Sequence, residues 1–179
     1  MNNVNGKGVL FTAENKTVYT GSFKDDKPHG LGKVQYADGS CYIGAFQQGA
    51  MTGMCKFIFS DGGFYEGGVV DGVASGQGKY TYQDPSKVYE GEFLNNKKHG
   101  HGVLKMKKYH FTGAFKDGKI HGAGEMTWTS GIRLVGNFHY NQPHGDMTQY
   151  DKDGKPLKVT YKMGKLQRDQ LSPKNNTTA

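Results

Sequence analysis

Val18-Tyr19-Thr20-Gly21-Ser22-Phe23 returns as Cys41-Tyr42-Ile43-Gly44-Ala45-Phe46, as Phe64-Tyr65-Glu66-Gly67-Gly68-Val69 and as Val88-Tyr89-Glu90-Gly91-Glu92-Phe93. Weaker copies are His110-Phe111-Thr112-Gly113-Ala114-Phe115 and Arg133-Leu134-Val135-Gly136-Asn137-Phe138. The central glycines fall at 21, 44, 67, 91, 113 and 136, in steps of 22 to 24 residues. A fixed period of this length marks a repeat architecture, in which each unit is one supersecondary element.

A second half-motif follows each first one. It reads His29-Gly30-Leu31-Gly32, Thr52-Gly53-Met54-Cys55, Ser75-Gly76-Gln77-Gly78, His99-Gly100-His101-Gly102, His121-Gly122-Ala123-Gly124 and His144-Gly145-Asp146-Met147. Asp38-Gly39, Asp61-Gly62, Ser130-Gly131 and Asp153-Gly154 close four of the units, while Pro85-Ser86 and Lys107-Lys108 stand in that place in two others. Gly6-Lys7-Gly8 and Leu157-Lys158-Val159-Thr160-Tyr161 match halves of a unit, so the array runs over about residues 5–165. Residues 1–165 are expected to form the array and 166–179 a polar, frayed tail.

Each unit carries two stretches of period-2 alternation around a polar loop, the pattern of a β-hairpin. Tyr19, Gly21 and Phe23 share one face; Gly30, Gly32, Val34 and Tyr36 share a face of the next strand. The expected fold is all-β: an elongated, single-layer antiparallel sheet of stacked hairpins with about 14 strands, two per unit. One face is expected to be aromatic and glycine-rich, the other small, polar and charged. Glycine is the outlier of the composition, 28 of 179 residues. The bare backbone lets neighbouring rings lie across it. A phosphate-cradling loop joins a strand to a helix, and no stretch of helical period follows any Gly-x-Gly here.

The Tyr-x-Gly-x-Phe, His-Gly-x-Gly and Asp-Gly pattern strongly resembles the MORN-repeat family, with six full copies and two partial ones as a stand-alone array. Departures are Cys55 and Met147 in the second glycine slot and Val69 in the phenylalanine slot. Similar proteins act as scaffolds, so the resemblance implies a non-enzymatic protein–protein interaction module in a cytoskeletal or ciliary assembly. A cytoskeletal or motor protein segment is then the expected partner.

With no helix or second sheet to cover it, the aromatic face should leave a long, concave apolar strip, and such strips mark interaction sites. The candidate partner-binding groove is Tyr19, Phe23, Tyr42, Phe46, Tyr65, Tyr89, Phe93, Phe111, Phe115 and Phe138. Some of these rings must fill the glycine gaps; the more exposed ones should anchor the partner.

The chain's net charge is +7, split between −2 over residues 1–94 and +9 over 95–179. Such asymmetry favours an anionic partner for the second half. The alternative function is therefore a peripheral membrane adaptor that binds anionic phospholipid headgroups through Lys97, Lys98, Lys105, Lys107 and Lys108. Nucleic acid is not expected, because base readout favours arginine and only Arg133 and Arg168 are present. A homodimer is left open.

No catalytic residue, metal or cofactor is expected. His99, His121 and His144 occupy one slot of successive repeats about 10 Å apart, too far to share one zinc ion. The serines lack a nucleophile motif, the acids sit in turns, and Cys41 and Cys55 occupy repeat positions. Two cysteines make no disulfide framework. No apolar run of transmembrane length, signal-peptide pattern or myristoylation site is present, which points to the cytoplasm. Without a signal peptide, Asn176-Thr177-Thr178 is an unused glycosylation acceptor.

Overall fold

The computed structural model describes residues 4–167. Among them there are sixteen strands and no helix. The first is β1 (Gly6–Thr12). Successive hairpins follow: β2 (Thr17–Lys24) with β3 (Lys27–Gln35), β4 (Cys41–Gln47) with β5 (Ala50–Ile58), and β6 (Phe64–Val70) with β7 (Val73–Thr81). Next come β8 (Val88–Leu94) with β9 (Lys97–Lys105), and β10 (Tyr109–Lys116) with β11 (Lys119–Trp128). The series ends with β12 (Arg133–His139), β13 (Gln142–Pro143), β14 (Gly145–Tyr150), β15 (Pro156–Lys162) and β16 (Lys165–Gln167). The strands form one open antiparallel sheet in chain order, and only the two-residue β13 lies off the path, paired with β12. The expectation of stacked hairpins holds. β16 straddles the boundary expected at 165, and the Asn176 acceptor lies outside the described residues.

The hairpins close through two-residue turns in which both residues have positive φ: Asp25-Asp26, Gln48-Gly49, Asp71-Gly72, Asn95-Asn96, Asp117-Gly118, Tyr140-Asn141 and Met163-Gly164. Two such residues make a type I′ turn, whose twist matches that of the flanking strands. Each turn also clasps the repeat before it. Asn96 N–H donates to the Ala74 carbonyl (3.1 Å), and its side-chain Oδ1 accepts from Ala74 N–H (2.7 Å). Asn141 does the same to Ile120. At the opposite edge, aspartates cap the unit-closing turns, as Asp38 Oδ1 does by accepting from Ser40 N–H. Asp84 accepts from Ser86 in the same way, so the unit with Pro85-Ser86 keeps the turn with different residues.

The two glycines of the second half-motif do different work. The first of each pair (Gly30, Gly53, Gly76, Gly100, Gly122 and Gly145) has φ between +55° and +99°. In the first four complete hairpins and in β10–β11 this glycine sits where the ladder register shifts, and glycine adopts that backbone at least cost. The second glycine is required by crowding. Gly8, Gly21, Gly32 and Gly44 pair in series across β1–β4, and Gly67, Gly78, Gly91, Gly102, Gly113, Gly124 and Gly136 continue the track across β6–β12. Cys55 alone interrupts it, on β5. A Cβ at Gly102 would lie 2.6 Å from the Tyr89 hydroxyl, and one at Gly44 the same distance from that of Tyr42. The rings lie flat on bare backbone, which is how a one-layer sheet buries a core.

The opposite face departs from expectation. It is not uniformly polar: Leu31, Met54 and Val9 are 76%, 71% and 68% exposed, with Ile43 beside Leu31 and Met54. Glu66 and Lys56 pair there at 3.0 Å, and such an exposed pair contributes little to stability.

Candidate protein-binding face

The rings named from the sequence form a zigzag ladder. Tyr19 touches Phe23 of its own repeat and Phe46 of the next, and Tyr42 touches Phe46. Further along, Tyr65 touches Phe93, Tyr89 touches Phe93 and Phe115, and Phe111 touches Phe115 and Phe138. Centroids are 4.9 to 5.4 Å apart and the rings are edge to face. Each such pair contributes about 0.5–1.5 kcal/mol beyond its buried area. All ten are buried, and Tyr89 and Phe111 are 0% exposed. The structure thus brings the ten groove residues together as a core, with little ring surface left for a partner to touch.

Each tyrosine hydroxyl is also spoken for. Tyr19, Tyr42, Tyr65 and Tyr89 donate to the carbonyls of Ser22, Ala45, Gly68 and Glu92, each three residues along. Burial pushes Tyr42 and Tyr65 up to about 12, and the Cys55 thiol beneath them up to about 11.

The accessible layer consists of residues absent from the sequence-derived set. Tyr36, Phe57, Tyr80, Tyr82, Tyr109, Trp128 and the side chains of Met51, Met106 and Met126 pack, half-buried, on the core. Tyr36–Phe57–Phe59–Tyr80–Tyr82 make a second run of ring contacts, at 4.7 to 6.0 Å. The signal was present in the sequence: Tyr36, Phe59, Tyr82, Met106 and Trp128 keep the period of the repeat. Tyr36 is placed on the aromatic face by alternation alone, but none of the five joins the groove set, because each falls at the end of its strand or one residue past it, beyond the glycine motifs.

The ladder has one break. From β4 to β12 the phenylalanine slots hold Phe46, Phe93, Phe115 and Phe138, each touching a ring of the repeat before, but β6 has Val69, and no ring joins Tyr42 to Tyr65. An open cavity of about 400 Å³ lies there, lined by Tyr42, Tyr65, Val69, Phe93, Cys55 and Phe57 among others. Tyr36 and Tyr80, also in its wall, are raised first by burial and then by the nearby carboxylates of Asp38 and Asp61.

The five candidate lysines do not form one patch. Lys97 and Lys98 are at the hairpin end of β9, and Lys105 is at its other end, eight residues or about 26 Å of extended strand away. Lys98 lies on the aromatic face, donating to the Tyr82 hydroxyl at 2.8 Å. Lys105 lines the opposite face with Lys79 and Glu90. Lys107 pairs with Asp84 at 3.0 Å, and the hydrogen bond from the Ser86 hydroxyl, followed by this contact, holds the Asp84 carboxyl down at about 2. Among the histidines, His121, His139 and His144 gather with Tyr140 through ring contacts of 4.6 to 5.8 Å. Among the described residues no group of three or more side chains has the placement of a metal site.

An open, chain-ordered sheet of hairpins whose core is a ring ladder on a glycine track defines a β-hairpin repeat array. The MORN repeat model matches residues 19–41, 42–64, 65–84, 89–109 and 111–133, more than half of the sequence, and the chain belongs to the MORN-repeat family. Among solved structures, it is similar to a point mutant of the TCP10 domain of Danio rerio CPAP, at 15% identity and TM-score 0.47, over 87% of this chain and 78% of that one. It is also similar to the wild-type domain in complex with a peptide of Danio rerio STIL, at 14% identity and TM-score 0.42, over 86% and 73% of the two chains.

Proposed function

We propose that the chain is a non-enzymatic interaction module that takes a segment of a partner protein along its aromatic face. The observation that carries this reading is the half-buried layer from Tyr36 to Trp128, which no second sheet or helix covers among the described residues. Tyrosine, tryptophan and methionine are the side chains that interfaces enrich, because they bring large contact areas at low entropic cost. The buried ladder holds this layer in place, and truncating an exposed anchor should cost about 2 kcal/mol of binding, near thirtyfold. A cytoskeletal or ciliary setting for the partner rests on the family resemblance alone.

The reading is tested by quantitative affinity capture with the wild type, a Tyr82→Ala/Trp128→Ala variant and an outer-face control, Lys79→Ala. Partners held by the wild type and the control should be lost from the double variant while circular dichroism stays unchanged. Partners kept by the double variant but lost on changing Lys97, Lys98, Lys105, Lys107 and Lys108 to Glu would move binding to the lysines. Salt-sensitive loss of anionic-vesicle binding by that charge variant would then favour the membrane adaptor.

A further inference from the structure

The break in the ladder is also the place where the face opens into a cavity. Phe46 bridges Tyr19 and Tyr42, and Phe93 bridges Tyr65 and Tyr89. A ring at position 69 would by the same geometry bridge Tyr42 and Tyr65. Both tyrosines and Val69 itself line the 400 Å³ cavity. The space that a ring fills between other repeats is therefore open here, walled by rings and by Met51, Ala74 and Cys55. An apolar cavity of about 150 Å³ suffices for benzene, so this one admits an aromatic side chain with part of its backbone.

The segment that forms the cavity is net acidic, and Lys98, which reaches the same face beside Phe93, is held by the Tyr82 hydroxyl. Residues 36–96 hold 3 Lys and 7 acidic residues, against the basic balance of the rest. Asp38 and Asp61 stand next to the cavity tyrosines Tyr36 and Tyr80, and Asp71 precedes the cavity residue Gly72. All three are exposed, and among the described residues none has an ion-pair partner.

Residues 168–179 do not suit the site. Residues 168–179 contain no aromatic residue and one large aliphatic, Leu171. Leu171 is four residues past β16, a reach of about 14 Å. β16 is nine strands from β6 along the sheet, about 43 Å at strand spacing.

We infer that the cavity at Val69 is a pocket for an aromatic side chain of a partner protein segment, with lysine or arginine flanking that anchor toward Asp38 and Asp61 at one edge of the sheet and Asp71 at the other. The inference rests on the reading of this face as a protein-binding surface. The partner's ring completes the ladder in place of the missing phenylalanine.

The test is Val69→Phe, which fills the space from within. A phage library of twelve-residue peptides is selected on the wild type. Enriched peptides should carry Phe, Tyr or Trp next to Lys or Arg, and should bind Val69→Phe at least tenfold more weakly. An Asp38→Asn/Asp61→Asn/Asp71→Asn variant, which keeps the turns but not the charge, should bind them several-fold more weakly, with a flatter salt dependence. Val69→Phe should melt no lower than wild type; a much lower melting temperature would mean that no ring-sized space exists, and the inference fails. Peptides without an aromatic anchor, or equally tight on Val69→Phe, also overturn it. If such peptides still lose affinity for Tyr82→Ala/Trp128→Ala, the face binds and only the pocket is wrong. If they bind every variant alike, or nothing is enriched, both readings fail. Wild-type self-association that Val69→Phe abolishes would assign the cavity to a second copy instead.

Discussion

The Tyr19 hydroxyl donates to the carbonyl of Ser22, 2.7 Å away and three residues further along β2. Ser22 has no partner on β3, because the register shifts between Gly21 and Phe23. One side chain thus covers the glycine pair Gly21/Gly32 with its ring and supplies the bulged backbone with a donor. Tyr19→Phe should keep the ring contacts and lose only that bond. The expected cost is about 1 kcal/mol in chemical denaturation. Phe111, which holds the same place in its own repeat without a hydroxyl, shows that the ring alone supports the fold there. A loss near 4 kcal/mol for Tyr19→Phe would mean that the hydroxyl, rather than the ring, organises the repeat.

Gly91→Val tests the glycine track. A Cβ at Gly91 would lie 2.5 Å from both the Gly102 Cα and the His101 carbonyl oxygen, so backbone would have to move. Overpacking of this kind costs about 1–3 kcal/mol or more, and the variant should melt several degrees below wild type. An unchanged melting temperature would contradict the packing role of the track.

Asn96→Gly isolates the clasp between repeats. Glycine keeps the positive φ of 62° and the backbone bond to Ala74, but removes the acceptor for Ala74 N–H. The expected loss is about 1 kcal/mol. Hydrogen exchange at Ala74 should speed up more than at Ile120, where Asn141 makes the equivalent contact.

Stability should decline in alkali. Unfolded tyrosines ionise near 10, whereas burial holds Tyr42 and Tyr65 at about 12 and raises Tyr89 as well. Between those values the unfolded chain has released protons that the folded one keeps, so their contribution is complete below about pH 10 and is lost as pH rises toward 12. Melting temperatures from pH 8 to 11.5, with tyrosinate absorbance, check this. Titration of all 11 tyrosines near pH 10 in the folded protein would count against it.

Much of the fold was legible. The 22–24-residue step, the alternation within each half-unit and the shared glycine slots led to stacked hairpins in chain order, since each unit buries its face only against its neighbours. The ten ring positions were also readable, but not their exposure. From periodicity, Tyr89 and Tyr82 are both aromatics on a sheet; one is fully buried and the other half-buried. The two glycines of His-Gly-x-Gly looked alike as bare positions, although one bends the chain at a register shift and the other lies under a ring.

The sequence by itself determined the repeat, the antiparallel hairpin order and the faces of the strands, because these follow from local alternation and nearest-neighbour pairing. Only the tertiary structure decided which rings are core and which are surface, how the lysines of β9 divide between the two faces, and what Val69 means. That division depends on how a side chain from one repeat lies over the next, a contact between residues 27 or 28 positions apart in sequence, Tyr19 with Phe46 and Tyr65 with Phe93. In the sequence Val69 is a conservative apolar departure. In the sheet it is the missing ring between Tyr42 and Tyr65, and a cavity stands in its place.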